Sequence, residues 1–363
     1  MKLDFKLQKT YGSMRAARLK VGQQTIATPA LIVSAPALTI HDLAPIEAEQ
    51  SQVKGLSVDA SIISQNPGTE IVQASGGLHR LMDWDGLVIA QPGDFLHLPR
   101  VKKNHLTKDG VRFHDVKTGA VRLMTPQSVI ESQTKMQPDI MLMLSQTPPY
   151  YATHDYIEKA VAINSAWAKA AKAALTPDSP AVLGVMQGAG FAQLRAQSIA
   201  SLLELGFDGY VIGGISDIDD DDEYDRILKA SIDCLPKNQL RMVSDVQSPA
   251  QLISALQNGV DLIETSLPTH WGHYGKALSD QGLLPIKKER FAKDLQPLAK
   301  DCDCQVCRHY SRAYLRHLLH MGDPVGTRLI GQHNLWYLQK MFVQTRQSIM
   351  HDQSPAIVFN GLA

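Results

Sequence analysis

Residues 182–213, VLGVMQGAGFAQLRAQSIASLLELGFDGYVIG, carry the reading of the fold. An apolar run at 182–187 gives way to a turn, and from 194 to 205 apolar residues recur at spacings of three and four, with polar residues filling the other face. That period is the mark of an amphipathic helix. A second short apolar run, 210–213, follows at once. Strand, helix and strand in this order make the crossover unit from which parallel sheets are wound. Working outward, the same alternation recurs, with further candidate strands at 29–33, 87–91, 139–144, 241–245 and 261–266 and a long helical stretch at 153–174. Thr125 before Pro126 and Ser248 before Pro249 each put a hydroxyl at a capping position and a proline in the first helical turn, where its missing N–H costs nothing. Seven strands over roughly 270 residues favour an α/β fold of the closed (β/α)8 barrel type over an open doubly wound sheet.

Composition agrees with a folded chain of that size. The 363 residues are 44% hydrophobic and 20% charged, which excludes global disorder. Lys plus Arg number 36 and Asp plus Glu 36, so no overall field draws the chain to phosphate, and any nucleic-acid binding must rest on local basic patches. No stretch approaches the roughly 20 apolar residues of a membrane span, and the start MKLDFKLQKT lacks the apolar region of a secretory signal, so a cytoplasmic location is expected.

Three of the four cysteines, Cys302, Cys304 and Cys307, fall within six residues, and in a reducing compartment such clustering points to a metal rather than to disulfides. A histidine would complete a closed tetrahedral set of the kind structural zinc prefers. His333, after 25 intervening residues, and His309, His317 and His320 all compete for that place. Cys234, in the helical run 227–235, reads as a small buried core residue.

The segments CDCQVCRHYSRAYLRHLLH (302–320) and HNLWYLQKM (333–341) closely resemble the C-terminal zinc subdomain of the tRNA-guanine transglycosylases, the queuine tRNA-ribosyltransferase family. ATPA (27–30), PGTEIV (67–72), GGLHRLMDWDG (76–86), DGVRF (109–113), MQGAGFAQLR (186–195), GFDGYVIGGIS (206–216), GVDLIETSLPT (259–269) and RFAKDLQPL (290–298) match in the same order. The resemblance implies a (β/α)8 barrel at 1–286, a zinc-binding helical subdomain at 287–352, a C-terminal tail at 353–363, and commonly a dimer. It also implies that one structural zinc per chain sits on Cys302, Cys304, Cys307 and His333. Members exchange a guanine of tRNA for a 7-deazaguanine: a carboxylate attacks the ribose C1′ as the base leaves, a second acid moves the proton, and a third reads the base edge.

At those three places the chain departs from the pattern. The nucleophilic aspartate is matched by Glu264, one methylene longer. The general acid/base aspartate is matched by Gln91, which cannot transfer a proton near neutral pH. Asp94 lies close by in sequence but at a glycine position. The base-reading aspartate is matched by Ser145, whose single hydroxyl does not replace a charged two-oxygen acceptor. Gln187, Gly213 and Gly214 match the base-contacting glutamine and glycine pair, and Phe95 the stacking aromatic. Asp217 stands where an aliphatic residue is usual; it could read a different base, although the simpler reading is that it begins the acidic run 217–225.

The arginines that help hold the anticodon loop are replaced by His270-Trp271-Gly272-His273-Tyr274, imidazoles and rings able to stack on unpaired bases. Arg100, Lys102, Lys103 and Lys108, and around the zinc unit Lys287, Lys288, Arg290, Arg308, Arg312 and Arg316, are candidate phosphate contacts. The resulting expectation is a family protein of queuosine-type tRNA modification that binds the anticodon region of tRNA, with base exchange impaired or absent. It would act as a homodimer or beside a catalytic homologue. The alternative is an active ribosyltransferase using Glu264 with altered base preference.

Overall fold

The computed structural model describes residues 3–93, 106–114 and 118–355. The chain opens with an antiparallel sheet of β1 (Leu3–Tyr11), β2 (Met14–Val21) and β3 (Gln24–Thr28). β4 (Ala30–Ser34), β5 (Gly55–Asp59) and β6 (Leu87–Gln91) then run parallel as neighbours. A short antiparallel excursion, β7 (Leu106–Thr107), β8 (Gly110–His114) and β9 (Val121–Met124), interrupts them. The parallel series resumes with β10 (Ile140–Leu142), β11 (Ala181–Met186), β12 (Gly209–Ile212), β13 (Leu240–Val243) and β14 (Leu262–Thr265). β14 pairs with β4 and β10 with β6, so the eight parallel strands close into a barrel.

All seven strands expected from the sequence are present, and β5 is the eighth. It escapes the apolar pattern because it reads Gly-Leu-Ser-Val-Asp. Both odd residues have physical reasons. A Cβ at Gly55 would stand 2.5 Å from Ile32 Cδ1 on the neighbouring strand, and Ser57 supplies a hydroxyl to a cavity rather than a methyl to the core. The crossover helices begin as the hydroxyl–proline pairs require: Thr125 accepts from the Ser128 amide and Ser248 from the Gln251 amide. Each such cap contributes about 1 kcal/mol.

The barrel is shut at its N-terminal end by a buried ion pair. Arg15 of β2 grips Asp261 with two nitrogens, and Asp261 also accepts from the Arg241 amide at 2.8 Å. Both side chains are almost fully buried. Cys234 lies just beyond the helix Asp221–Asp233 and is only half-buried, packing against the core edge rather than inside it.

After the helix Leu267–His273 comes a hairpin, β15 (Lys276–Ser279) and β16 (Gly282–Pro285), then the helices Gln305–His309, Arg312–Met321 and Pro324–Met350. A second apolar cluster joins the hairpin to these helices through Ala277, Leu284, Ile286, Val306, Leu315 and Ile330. The last helix also returns Leu335, Leu338 and Phe342 to the main core. Where it crosses Leu267–His273 the backbones nearly touch, since a Cβ at Gly272 would lie 2.5 Å from the Gly331 nitrogen. Among the described residues no helix is long and apolar enough to cross a membrane.

Candidate functional site

A cavity of about 280 Å³ opens at the C-terminal end of the barrel, the end from which loops and strand tips of this architecture present chemistry. Gln91 ends β6, and Ser145, Gln187, Gly213-Gly214 and Asp245 follow β10, β11, β12 and β13 into its wall. A second lobe shares Gln91, Gly93 and Asp245 and adds Ser34, Ser57, Asp59 and Glu264. The structure thus brings Glu264, Gln91, Ser145, Gln187, Gly213, Gly214 and Asp217 to one place. Phe95 and Asp94, with Arg100, Lys102 and Lys103, lie outside the described residues.

Gln187 organises one wall. It is 1% exposed, and its Nε2 donates to Ser145 Oγ and Thr147 Oγ1, each at 3.1 Å. It lies against the glycine pair so closely that a Cβ at Gly213 would meet Nε2 at 2.8 Å and one at Gly214 would meet Oε1 at 2.4 Å. Gly214 also takes a φ of +66°, which favours glycine on its own account. The glutamine's Oε1 is buried with no partner among the described residues. A buried acceptor costs about 1–3 kcal/mol when unsatisfied, so this wall is prepared for a donor N–H or O–H from a bound molecule.

Glu264 is different in kind. It is 3% exposed, and its Oε2 accepts from the Asp245 amide at 2.6 Å. The side chains of Ser34 and Gln91 also hydrogen-bond to it, and Gln91 Nε2 donates in addition to Ser57 Oγ at 2.5 Å. Burial pushes the carboxyl up to about 7 against these donors, with the neighbouring Asp245 charge adding to the rise. Burial thus disfavours the ionised form of this carboxyl, while the Asp245 amide holds one of its oxygens in place.

Asp245 is, with Ser34, Ser57 and Thr147, a site residue that the sequence did not reveal. It is exposed, lines both lobes of the cavity, and adopts a φ of +56°, unusual for a residue other than glycine. Its amide is spent on Glu264, and its carboxylate accepts from Gln247 Nε2 at 2.9 Å. The available signal was positional: a polar Ser-Asp pair directly after an apolar strand on the catalytic end of the barrel. Asp217, also exposed, lines the first lobe as well. The acidic run beyond it serves the helix Asp221–Asp233, whose first turn holds Asp221, Asp222 and Glu223 and whose cap is Asp220.

The second constellation is the cluster Cys302, Cys304, Cys307 and His333, whose ligand atoms all lie within 4.8 Å of one another. On a tetrahedron with zinc's usual bond lengths, sulfur and nitrogen stand about 3.5 Å apart. The three sulfurs here lie 3.7, 3.4 and 3.3 Å from His333 Nδ1. The ring's other nitrogen, Nε2, is 2.7 Å from the Leu278 carbonyl, which it can meet only as N–H, leaving Nδ1 free to ligate. Next to it Asn334 donates to the Pro268 and Lys276 carbonyls and accepts from the Leu278 amide, tying the last helix to the hairpin. Mutual hydrogen bonding holds Cys307 well below the ordinary thiol range and drives Cys304 above it. These residues fit a metal ion such as zinc, with no position left open. His309, His317 and His320 are exposed and take no part in the cluster.

Several residues expected to face RNA have other duties. Arg312 pairs with Asp294 and donates to the Leu298 carbonyl, and Arg316 bonds Glu289 and the Lys288 carbonyl. Trp271 is buried. Lys108, Lys287, Lys288, Arg290 and Arg308 are exposed, as are His270, His273 and Tyr274.

The family model described as Queuine tRNA-ribosyltransferase matches residues 10–360. A queuine tRNA-ribosyltransferase of Enterococcus faecalis is 32% identical over 339 residues, covering 93% of this chain and 89% of the relative. Those of Pediococcus pentosaceus and Streptococcus pyogenes serotype M5 are 32% and 33% identical over 353 and 360 residues, each covering 96% of this chain and 93% of the relative. By that match and those relatives, the chain belongs to the queuine tRNA-ribosyltransferase family.

Proposed function

We propose that this chain is a tRNA-binding member of its family, acting in queuosine-type modification in the cytoplasm as a paralogue or subunit whose base exchange is impaired or absent. One observation carries the reading. Base exchange forms a C1′–O bond as the C1′–N bond breaks, and it needs a second group to move a proton on and off the base nitrogen. The two positions matched to the proton-transfer and base-reading acids are the neutral Gln91 and Ser145. Gln91 spends its amide on Ser57 and on Glu264, while Ser145 takes the Gln187 amide. Glu264, at the nucleophile position, is buried, and burial disfavours the ionised form that an attack on C1′ requires, while one of its oxygens is taken by the Asp245 amide.

The base pocket itself persists. Gln187 with its unpartnered Oε1, Gly213 and Gly214 supports recognition of a flipped base without turnover. Cys302, Cys304, Cys307 and His333 hold, in this reading, one structural zinc per chain, which supplies stability to the C-terminal helices and no chemistry to the cavity. The chain pairs with itself or with a catalytic homologue, and Lys287, Lys288, Arg290 and Arg308 offer exposed cations for the anticodon region. The test is incubation of the protein with tRNA and labelled guanine. Binding without incorporation supports the reading, and incorporation that depends on Glu264 refutes it.

Asp245 favours one second reading. A carboxylate that lines both lobes beside Glu264 could move the proton that Gln91 cannot, giving an active ribosyltransferase of changed base preference. A covalent tRNA adduct formed by the wild type and lost in Glu264→Ala, together with exchange lost in Asp245→Asn, would select it.

A further inference from the structure

On the same end of the barrel lies a cluster that the base pocket does not use. His41 and Asp42 sit on the turn after β4, and His273 ends the helix after β14; these are neighbouring strands whose tips, Ser34 and Glu264, share a lobe of the cavity. Asp42 Oδ2 lies 3.4 Å from His41 Nδ1 and 3.3 Å from His273 Nδ1, and the three ligand atoms are all within 4.8 Å of one another. The two imidazole rings stand 4.5 Å apart, centre to centre. A charge-assisted hydrogen bond between imidazolium and carboxylate closes to about 2.7–2.9 Å. Nitrogen and oxygen ligands at zinc's bond lengths of about 2.0–2.1 Å stand about 3.3–3.4 Å apart on a tetrahedron. The spacing here matches the second distance, and His273 Nδ1 and Asp42 Oδ2 also stand within reach of a long hydrogen bond.

The ligands are also held in place. Ile40 and Leu43, both buried, exchange backbone hydrogen bonds across His41-Asp42, so the two residues form the tip of a tight turn pinned into the core. Asp42 takes a φ of +62° at that tip. His273 is fixed by the close backbone crossing at Gly272 and Gly331. The backbone that carries the three side chains is thus anchored on both sides.

We propose that His41, Asp42 and His273 form a second metal site, a His2Asp set that takes a divalent transition ion such as zinc and leaves a coordination position open to solvent. It differs from the Cys3His cluster in lacking thiolate and in being exposed. An open position on this rim offers a phosphate oxygen of bound RNA a direct ligand bond, a consequence that rests on the tRNA-binding reading above.

The site is tested by metal counting, independently of any activity. With zinc in excess, dialysed wild-type protein is expected to hold about two ions per chain, and His273→Ala or Asp42→Asn about one. A count of about one in the wild type, or a second ion that survives in His273→Ala/Asp42→Asn, overturns the proposal. Cobalt substitution distinguishes the sites: thiolate-to-cobalt charge-transfer bands belong to the Cys3His set and are expected to be unchanged in both variants. A variant that loses those bands as well has been disturbed globally, and His273→Gln then repeats the count. The RNA clause is tested by titrating tRNA with and without zinc. Tightening in the wild type but not in His273→Ala supports it; equal affinity in both removes the clause and leaves the metal site standing.

Discussion

Replacing Glu264 with glutamine is expected to stabilise the protein, by an amount that depends on pH. The native carboxyl titrates near 7 because burial disfavours its charge, against an ordinary value of 4.5. Between those two values the folded state binds more protons at this residue than the unfolded state does. Stability contributed by the group is therefore greatest below about pH 4.5 and falls as pH rises through 7. A shift of that size corresponds to about 3 kcal/mol, at 1.36 kcal/mol per pH unit. Glutamine keeps the acceptor for the Asp245 amide and has no charge to bury. The difference between Glu264→Gln and wild type should thus be small near pH 4.5 and grow to about 3 kcal/mol by pH 8, or about 4 °C in melting temperature for a chain of this length. Thermal denaturation of both proteins across that range is the assay. A difference that stays flat with pH, or a variant less stable at pH 8, would refute the assignment of Glu264 as a buried, costly carboxylate.

Three further perturbations have defined outcomes. Cys304→Ser, at a 2% exposed ligand position, is expected to release the structural metal and loosen the C-terminal helices; metal analysis and proteolysis read this, and a zinc-loaded, protease-resistant variant contradicts the assignment. Arg15→Leu strips the partner from the fully buried Asp261 and should cost about 3–5 kcal/mol in denaturant unfolding, against a loss below 1 kcal/mol if the pair is dispensable. Asp245→Gly relieves the left-handed backbone and should add about 1 kcal/mol. It also removes a neighbouring charge, so the pH-dependent melt just described should move its midpoint downward; an unmoved midpoint means that Asp245 does not act on Glu264.

The barrel was legible because seven of its strands are continuous apolar runs, each facing both the core and a covering helix. β5 was not, since Gly55 answers to Ile32 on the next strand and Ser57 to Gln91, contacts between segments far apart in sequence. The N-terminal sheet was missed for a different reason. Its strands do alternate, as in Leu3-Asp4-Phe5-Lys6-Leu7 and Ala17-Arg18-Leu19-Lys20-Val21, but that two-residue period differs from the continuous apolar runs of the barrel strands. At the metal cluster the cysteine spacing announced a site while leaving four histidines in contention. The choice of His333 depends on the Leu278 carbonyl, 55 residues away, which fixes the ring's tautomer. The three departures at Gln91, Ser145 and Glu264 were visible as residue types, and the structure adds what they bond to. Asp245 was invisible as a site residue because its significance lies in a backbone angle and in the meeting of two cavity lobes.

The central claim is that the pocket binds without exchanging. Purified protein incubated with a mixed tRNA pool and labelled guanine tests it most directly, with tRNA retention measured in the same samples. Retained tRNA with guanine incorporation at background level is the expected result. Incorporation well above background that disappears in Glu264→Gln would contradict it.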